Sequence, residues 1–252
     1  MSGHSKWATI KREKAVTDVK KGAVYARMGR EIIVSAKFGG GDPAANFRLR
    51  QAIERAKAAG VPNDNIQRAV EKGTGAGTAD NFEELTYEGY GPGGVAVMVR
   101  CTTDNRNRTA GDIRSYFTKF GGNLGSTGSV SWNFVERGEV QIAKSATLDE
   151  DKLLAAAVDA GAEDLETDAD DYIVVVCEPF KLEPVRTALE KAGYTIDSSQ
   201  VSMAPNSTVE VTSRDVAKQL LRLLDTLENH DDVQNVYANF DMNEKWLTEA
   251  IS

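Results

Sequence analysis

Histidine and cysteine are scarce, with two of each in 252 residues. Cys101 and Cys177 stand far apart, each inside an apolar, strand-like run, and no CxxC or Cys/His spacing accompanies them. That pattern indicates neither a zinc site nor a disulfide framework, and it suits a reducing, cytoplasmic setting. No uninterrupted apolar run is longer than "YIVVVC" at 172–177, against the ~18 residues of a membrane span, so no membrane partner is expected. His4 lies in the N-terminal arm and His230 beside Asp231 and Asp232. No serine occupies a nucleophile elbow, and neither cysteine has a base near it in sequence. The expectation is a non-enzymatic protein with no cofactor, metal or small-molecule substrate.

What the chain has is charge, unevenly placed. The formal net charge is −8, yet residues 1–72 hold 15 Lys and Arg against 7 Asp and Glu. The remainder holds 15 against 31. A basic segment therefore precedes an acidic body, and like-signed charge gathered in one segment attracts an opposite polyion whatever the overall balance. The opening resembles an Arg-rich transit peptide, but Glu13, Asp18 and Glu31 interrupt it, and such peptides are poor in acidic residues.

The first 73 residues predict a helical bundle. Along 16–38, Val24, Met28, Ile32 and Ala36 recur every four residues and form an apolar stripe. Lys20, Arg27, Arg30 and Lys37 fall away from it. "GGGDP" at 39–43 predicts a helix end, with Asp42 capping and Pro43 opening the next helix. That helix is expected to bury Leu49, Ala52, Ile53 and Ala56, with Arg48 and Arg55 on one flank and Arg50 and Lys57 on the other. Pro62 opens a third helix, which Gly73 ends. "GTGAG" at 73–77 lacks the Gly-Lys-Ser/Thr of a P-loop and predicts a linker, with a domain boundary near residue 80.

Beyond residue 82 the periodicity turns to strands. Strand, glycine-proline turn, strand, a helix at 105–120 and a strand in "GSVSWNFVE" follow in order. Residues 138–204 then give a complete βαββαβ unit of the ferredoxin-like kind, and 205–241 a last β-α-β set with Val216, Leu220, Leu223, Leu224 and Leu227 facing inward. A set that short cannot stand alone. It is expected to complete the sheet begun at 82. The predicted architecture is α+β in three domains, a helical bundle at 1–79 and two ferredoxin-like α+β domains, one inserted in the other. The discontinuous domain is 80–137 with 205–241, the insert is 138–204, and 242–252 is a C-terminal tail. "TTDNRNRTAGDIR" at 102–114 is the densest polar cluster; it predicts a helix N-terminus capped by Thr103, Asp104 or Asn105. Its other reading is a loop whose Arg106 and Arg108 meet phosphate or a protein partner.

Several long stretches resemble one family. "GHSKW" at 3–7, "IKREKA" at 10–15, "GGGDPAANFRLRQAIERAKAAGVPNDNIQRAVEKGTG" at 39–75, "YEGYGPGGVAV" at 87–97, "NRNRTAGDIR" at 105–114 and "FGGNLGSTGSVSWNF" at 120–134 together resemble the YebC family. That family includes proteins described as transcriptional regulators and the mitochondrial translational activator of cytochrome oxidase subunit I. The resemblance implies a helical N-terminal domain with two α+β domains, one inserted in the other, and nucleic-acid work in place of catalysis. Glu13 departs from the largely basic run expected in "IKREKA".

The physical reading supplies a mechanism. Lys6, Trp7, Lys11, Arg12, Lys14, Lys20, Lys21, Arg27, Arg30, Lys37, Arg48, Arg50, Arg55 and Lys57 are the candidate nucleic-acid contacts. Phosphate neutralisation by these cations releases counterions and gives salt-dependent, sequence-tolerant binding. Trp7 either stacks on an exposed base beside Lys6 or packs its arm against the protein. The expected function is a DNA-binding regulator of transcription. Its alternatives are a translation factor on ribosomal RNA or tRNA and a protein-interaction adaptor.

Overall fold

The computed structural model describes residue 7 and residues 21–75, 82–145, 148–167 and 171–251. Its first long helix, α1 (Lys21–Gly39), buries Ile32, Ile33, Val34, Ser35 and Ala36 in succession. An amphipathic surface helix buries a stripe, so five consecutive buried residues require packing on every side. One side meets α2 (Phe47–Ala58) and α3 (Asn63–Gly73). The other meets two strands of the following sheet. Leu49, Ala52 and Ala56 fill the bundle core as the spacing predicts, while Ile53 is half-buried.

The α1–α2 corner differs from its sequence reading. Asn46, not Asp42, caps α2, because its side chain does two jobs at once. Its Oδ1 accepts from the Leu49 amide at 3.1 Å, and its Nδ2 donates to the Ser35 and Gly40 carbonyls at 2.8 Å. Asp42 instead closes the turn before the helix, accepting from the Ala44 amide at 2.9 Å. At the far end of the bundle Gly73 lets α3 cross α1 closely. A Cβ there meets the Ile33 carbonyl and lies 2.7 Å from the Ala36 Cβ. Gly73→Ala is expected to cost about 1–3 kcal/mol through overpacking, read as a lower urea midpoint with an unchanged m-value.

The second unit is a sheet of order β3-β1-β2-β9, built from β1 (Glu83–Tyr90), β2 (Ala96–Thr103), β3 (Asn123–Leu124) and β9 (Val233–Ala238). On one face lie α4 (Arg106–Lys119) and α7 (Arg214–Glu228), the latter with Leu220, Leu221, Leu223, Leu224 and Leu227 inward. The inserted unit has β4 (Phe134–Ala143), α5 (Glu150–Asp159), β5 (Asp164–Glu166), β6 (Tyr172–Cys177), α6 (Leu182–Lys191) and β7 (Ile196–Pro205). Its antiparallel order β5-β6-β4-β7 is the ferredoxin-like arrangement. The protein is thus α+β in three domains, a helical bundle and two α+β units, one inserted in the other.

Two strands and the C-terminal tail depart from expectation. "GSVSWNFVE" divides into a turn at Ser131–Asn133 and the start of β4, which belongs to the inserted sheet. β8 (Val209–Val211) does not join the sheet of β9. It pairs in parallel with β10 (Phe240–Met242) as a separate two-stranded ribbon. The expected tail carries a helix, α8 (Glu244–Ile251), whose Leu247 enters the core against α7. Among the described residues no helix is long and apolar enough to cross a membrane.

Candidate nucleic-acid interface

The cations of the helical domain meet the body at three places. On α1, Arg27 donates to the Glu228 carbonyl at 3.1 Å, and Arg30 donates to the Asp231 carbonyl and lies 3.8 Å from the Asp232 carboxylate. Glu228 is the last residue of α7, so Arg27 satisfies a terminal carbonyl at the negative end of a helix dipole. On α2, Arg48 pairs with Glu84 of β1. Burial opposes the Arg48 charge less than the Glu84 hydrogen bond favours it, so its pKa is raised. A crossed pair joins α2 to α6, Arg50 to Glu183 and Arg186 to Glu54, both at 3.7 Å. Beside it Phe47 packs against the inserted core under the Arg50 guanidinium.

Two further candidates are used within the bundle or at its edge. Arg55 pairs with Glu31 of α1, and Lys37 donates to the Phe82 carbonyl at 3.3 Å. Lys57 is exposed, as is Arg68, which the sequence reading left out. Lys21 opens α1. Lys6, Lys11, Arg12, Lys14 and Lys20 lie outside the described residues. Trp7 is 2% exposed and belongs to the core cluster under α4 and α7. Of its two readings, packing is the one the structure displays, because its ring is spent on apolar neighbours in the sheet domain.

The centre of the clasp is Asp232, 2% exposed. Its Oδ2 accepts from Arg108 at 2.9 Å, Thr109 at 2.8 Å and Thr103 at 3.2 Å. Burial alone would raise its pKa. The Arg108 and Thr109 hydrogen bonds and the charges of Arg108 and Arg30 outweigh burial and hold it below the ordinary aspartate value. "TTDNRNRTAGDIR" is therefore a helix start, with Asn105 as the cap of α4, accepting from the Arg108 amide at 3.1 Å. Arg108 also reaches Asp104 at 2.9 Å, whereas Arg106 stays exposed. The His230 ring accepts from the Asp232 amide at Nδ1, at 3.1 Å, which leaves Nε2 to donate to Asp112 at 3.2 Å. Neither Asp232 nor its role was legible from "HDDV"; a carboxylate beside the only imidazole of the body was the available signal. Burial pushes the Cys101 thiol up to about 12 and Cys177 to about 11, so neither resembles an activated nucleophile.

These features define a class first: a three-domain α+β protein whose basic helical domain is clasped by arginines onto two acidic sheet domains. The family model described as "TACO1/YebC protein N-terminal domain" matches residues 5–76, and "TACO1/YebC second and third domain" matches residues 82–240. The chain belongs to the TACO1/YebC family. A "Probable transcriptional regulatory protein" of Desulfitobacterium hafniense is 52% identical over 242 residues, 96% of each chain. One of the same name from Rubrobacter xylanophilus is 53% identical over 251 residues, 99% of each chain. The crystal structure of a conserved hypothetical protein of Aquifex aeolicus superposes with a TM-score of 0.81 at 44% identity, covering 90% of this chain and 92% of that one.

Proposed function

We propose that this protein is a non-enzymatic, nucleic-acid-binding regulator of gene expression whose basic N-terminal segment meets the phosphate backbone. The observation that carries the reading is the segregation of charge, 15 cations against 7 anions before residue 73 and the reverse excess after it. The relatives named as transcriptional regulatory proteins support it. The reading assigns first contact to Lys6, Lys11, Arg12, Lys14, Lys20 and Lys21, and adds the exposed Lys57 and Arg68. Arg27, Arg30, Arg48 and Arg50 hold the domain in place. DNA is the target that the relatives' names favour.

A second reading, RNA in translation, draws on the α2 N-terminus. A helix that reads a major groove presents its first turn to base edges, and here Arg48 and Arg50 are engaged by Glu84, Glu183 and the Pro43 carbonyl. Ultraviolet crosslinking in growing cells separates the two, promoter DNA supporting the first and ribosomal RNA or tRNA the second. In vitro, replacing Lys11, Arg12 and Lys14 with alanine is expected to lower the slope of log affinity against log salt by about 1 for each phosphate no longer neutralised. An unchanged slope would remove this segment from the interface.

A further inference from the structure

We propose that Trp132 and Tyr90 form a stacking platform for unpaired bases, so that the target is a single-stranded nucleic acid or a single-stranded part of one. This rests on the nucleic-acid reading above and narrows it. Trp132 is 67% exposed, whereas Trp7 is buried and Trp246 half-buried. A ring of that size left in water forgoes the burial that normally dominates its energetics.

The ring is nevertheless fixed. Its indole N–H donates to the Ser129 carbonyl at 3.0 Å, and the Tyr90 hydroxyl, on a ring 39% exposed, donates to the same carbonyl at 2.9 Å. One oxygen thus anchors two aromatic side chains from distant parts of the chain. Both have used their polar edge internally, which leaves π faces as their free surface. The loop that holds Ser129 is pinned from below by Glu88, 4% exposed, whose carboxylate accepts from the amides of Gly128, Val130 and Ser131 at 2.8 Å each. Its far end is tied by Asn133, which exchanges hydrogen bonds with Ser207, and by Asn206, which donates to the Trp132 carbonyl. A surface ordered before binding loses little freedom when a partner arrives.

Local charge does not oppose such a partner. Residues 89–97, 121–133 and 204–209, the three segments that meet here, contain no Asp, Glu, Lys or Arg, in a body that is otherwise strongly acidic. The Glu88 charge beneath them is consumed by backbone amides. A polyanion is repelled by most of the body, and these segments set no carboxylate of their own against it. Stacking on an aromatic face needs no particular base, but it needs one that is not already stacked in a duplex.

The test is a titration of the full chain with fluorescently labelled 12-nucleotide strands of oligo-U and oligo-A and with a duplex of equal length. Anisotropy gives affinity, and tryptophan emission is followed with unlabelled strands. Single strands are expected to quench Trp132, and Trp132→Leu to bind them about fivefold to a hundredfold more weakly. Trp132→Phe, which keeps a π face, is expected to recover most of the loss, and duplex affinity is expected to change little. Since the side chain is exposed, circular dichroism and the thermal midpoint should be unaltered. Single-strand affinity unchanged in Trp132→Leu overturns the platform while leaving the nucleic-acid reading intact. Equal loss for duplex and single strand also overturns it. No binding of either form by the wild-type protein at low salt overturns both.

Discussion

Asp232→Ala is expected to lower the unfolding free energy by about 1–3 kcal/mol, the range for removing the acceptor of buried polar groups, and to loosen the helical domain. The carboxylate is the shared acceptor of Arg108, Thr103 and Thr109 and the neighbour of Arg30. Alanine takes the carboxylate acceptor from the buried hydroxyls of Thr103 and Thr109, and a buried hydroxyl left short of a partner costs its desolvation; Thr109 keeps the Asn105 carbonyl at 3.1 Å and the half-exposed Arg108 keeps Asp104. By contrast, the half-exposed pairs Arg48–Glu84 and Arg50–Glu183 are each worth about 0–1 kcal/mol and are screened by salt. The two kinds of contact make different demands. High salt weakens the α2 pairs, but α1 stays docked through Asp232 and its own buried residues. Urea unfolding measures the first effect. Limited proteolysis between residues 73 and 82 measures the second, and Asp232→Ala should be cut faster. A loss under 1 kcal/mol would show that the hydroxyls re-pair and that the clasp does not depend on this carboxylate.

Glu88→Ala is expected to cost about 2–5 kcal/mol, since three backbone amides lose a charged acceptor and those amides are buried or partly so. Amide exchange at Gly128, Val130 and Ser131 should accelerate well beyond that in β1 and β3. Acid gives an independent check. Burial would raise the Glu88 pKa, but the amides of Gly128, Val130 and Ser131 hold it below the ordinary glutamate value. With the folded pKa depressed, the unfolded chain binds more protons as pH falls, so this stability is full above the ordinary carboxylate range. It is lost as pH drops through the folded value, and the same sign holds for Asp232. Glu88→Gln should flatten the acid limb of the stability profile; an unchanged limb would mean the carboxylate is not differentially stabilised.

The order of helices and the βαββαβ insert were legible because periodicity reports which face of an element is buried. The α1 stripe was only half of that helix's story. "IIVSA" at 32–36 is continuous, and continuity meant burial from both sides, something a four-residue spacing cannot express. "GSVSWNFVE" alternates as a strand does, yet Asn133 is buried for its hydrogen bonds to Ser207 and Trp132 is exposed, so polarity misreported burial there. The C-terminal β8 carries a strand's composition, but composition does not say which edge it joins. The cations were visible in sequence, whereas their intramolecular partners were not. Glu84 lies 36 residues from Arg48, and Asp231 lies 201 from Arg30. Nor did the sequence reading single out Glu88, an acidic residue among glycines and tyrosines in "YEGY" whose value lies entirely in a loop 40 residues further on.

The inserted domain leaves and rejoins its host at one point, because Phe134 and Pro205 are partners across β4 and β7. During synthesis from the N-terminus, every strand of the insert emerges before β9, the strand that flanks β2 in the host sheet. The later unit in the chain can therefore finish folding first, while the earlier one waits with β2 as an open edge. Until Val233–Ala238 arrives, that edge and the face later covered by α7 are the nascent chain's exposure to misassociation, and α1 has only part of its eventual seat.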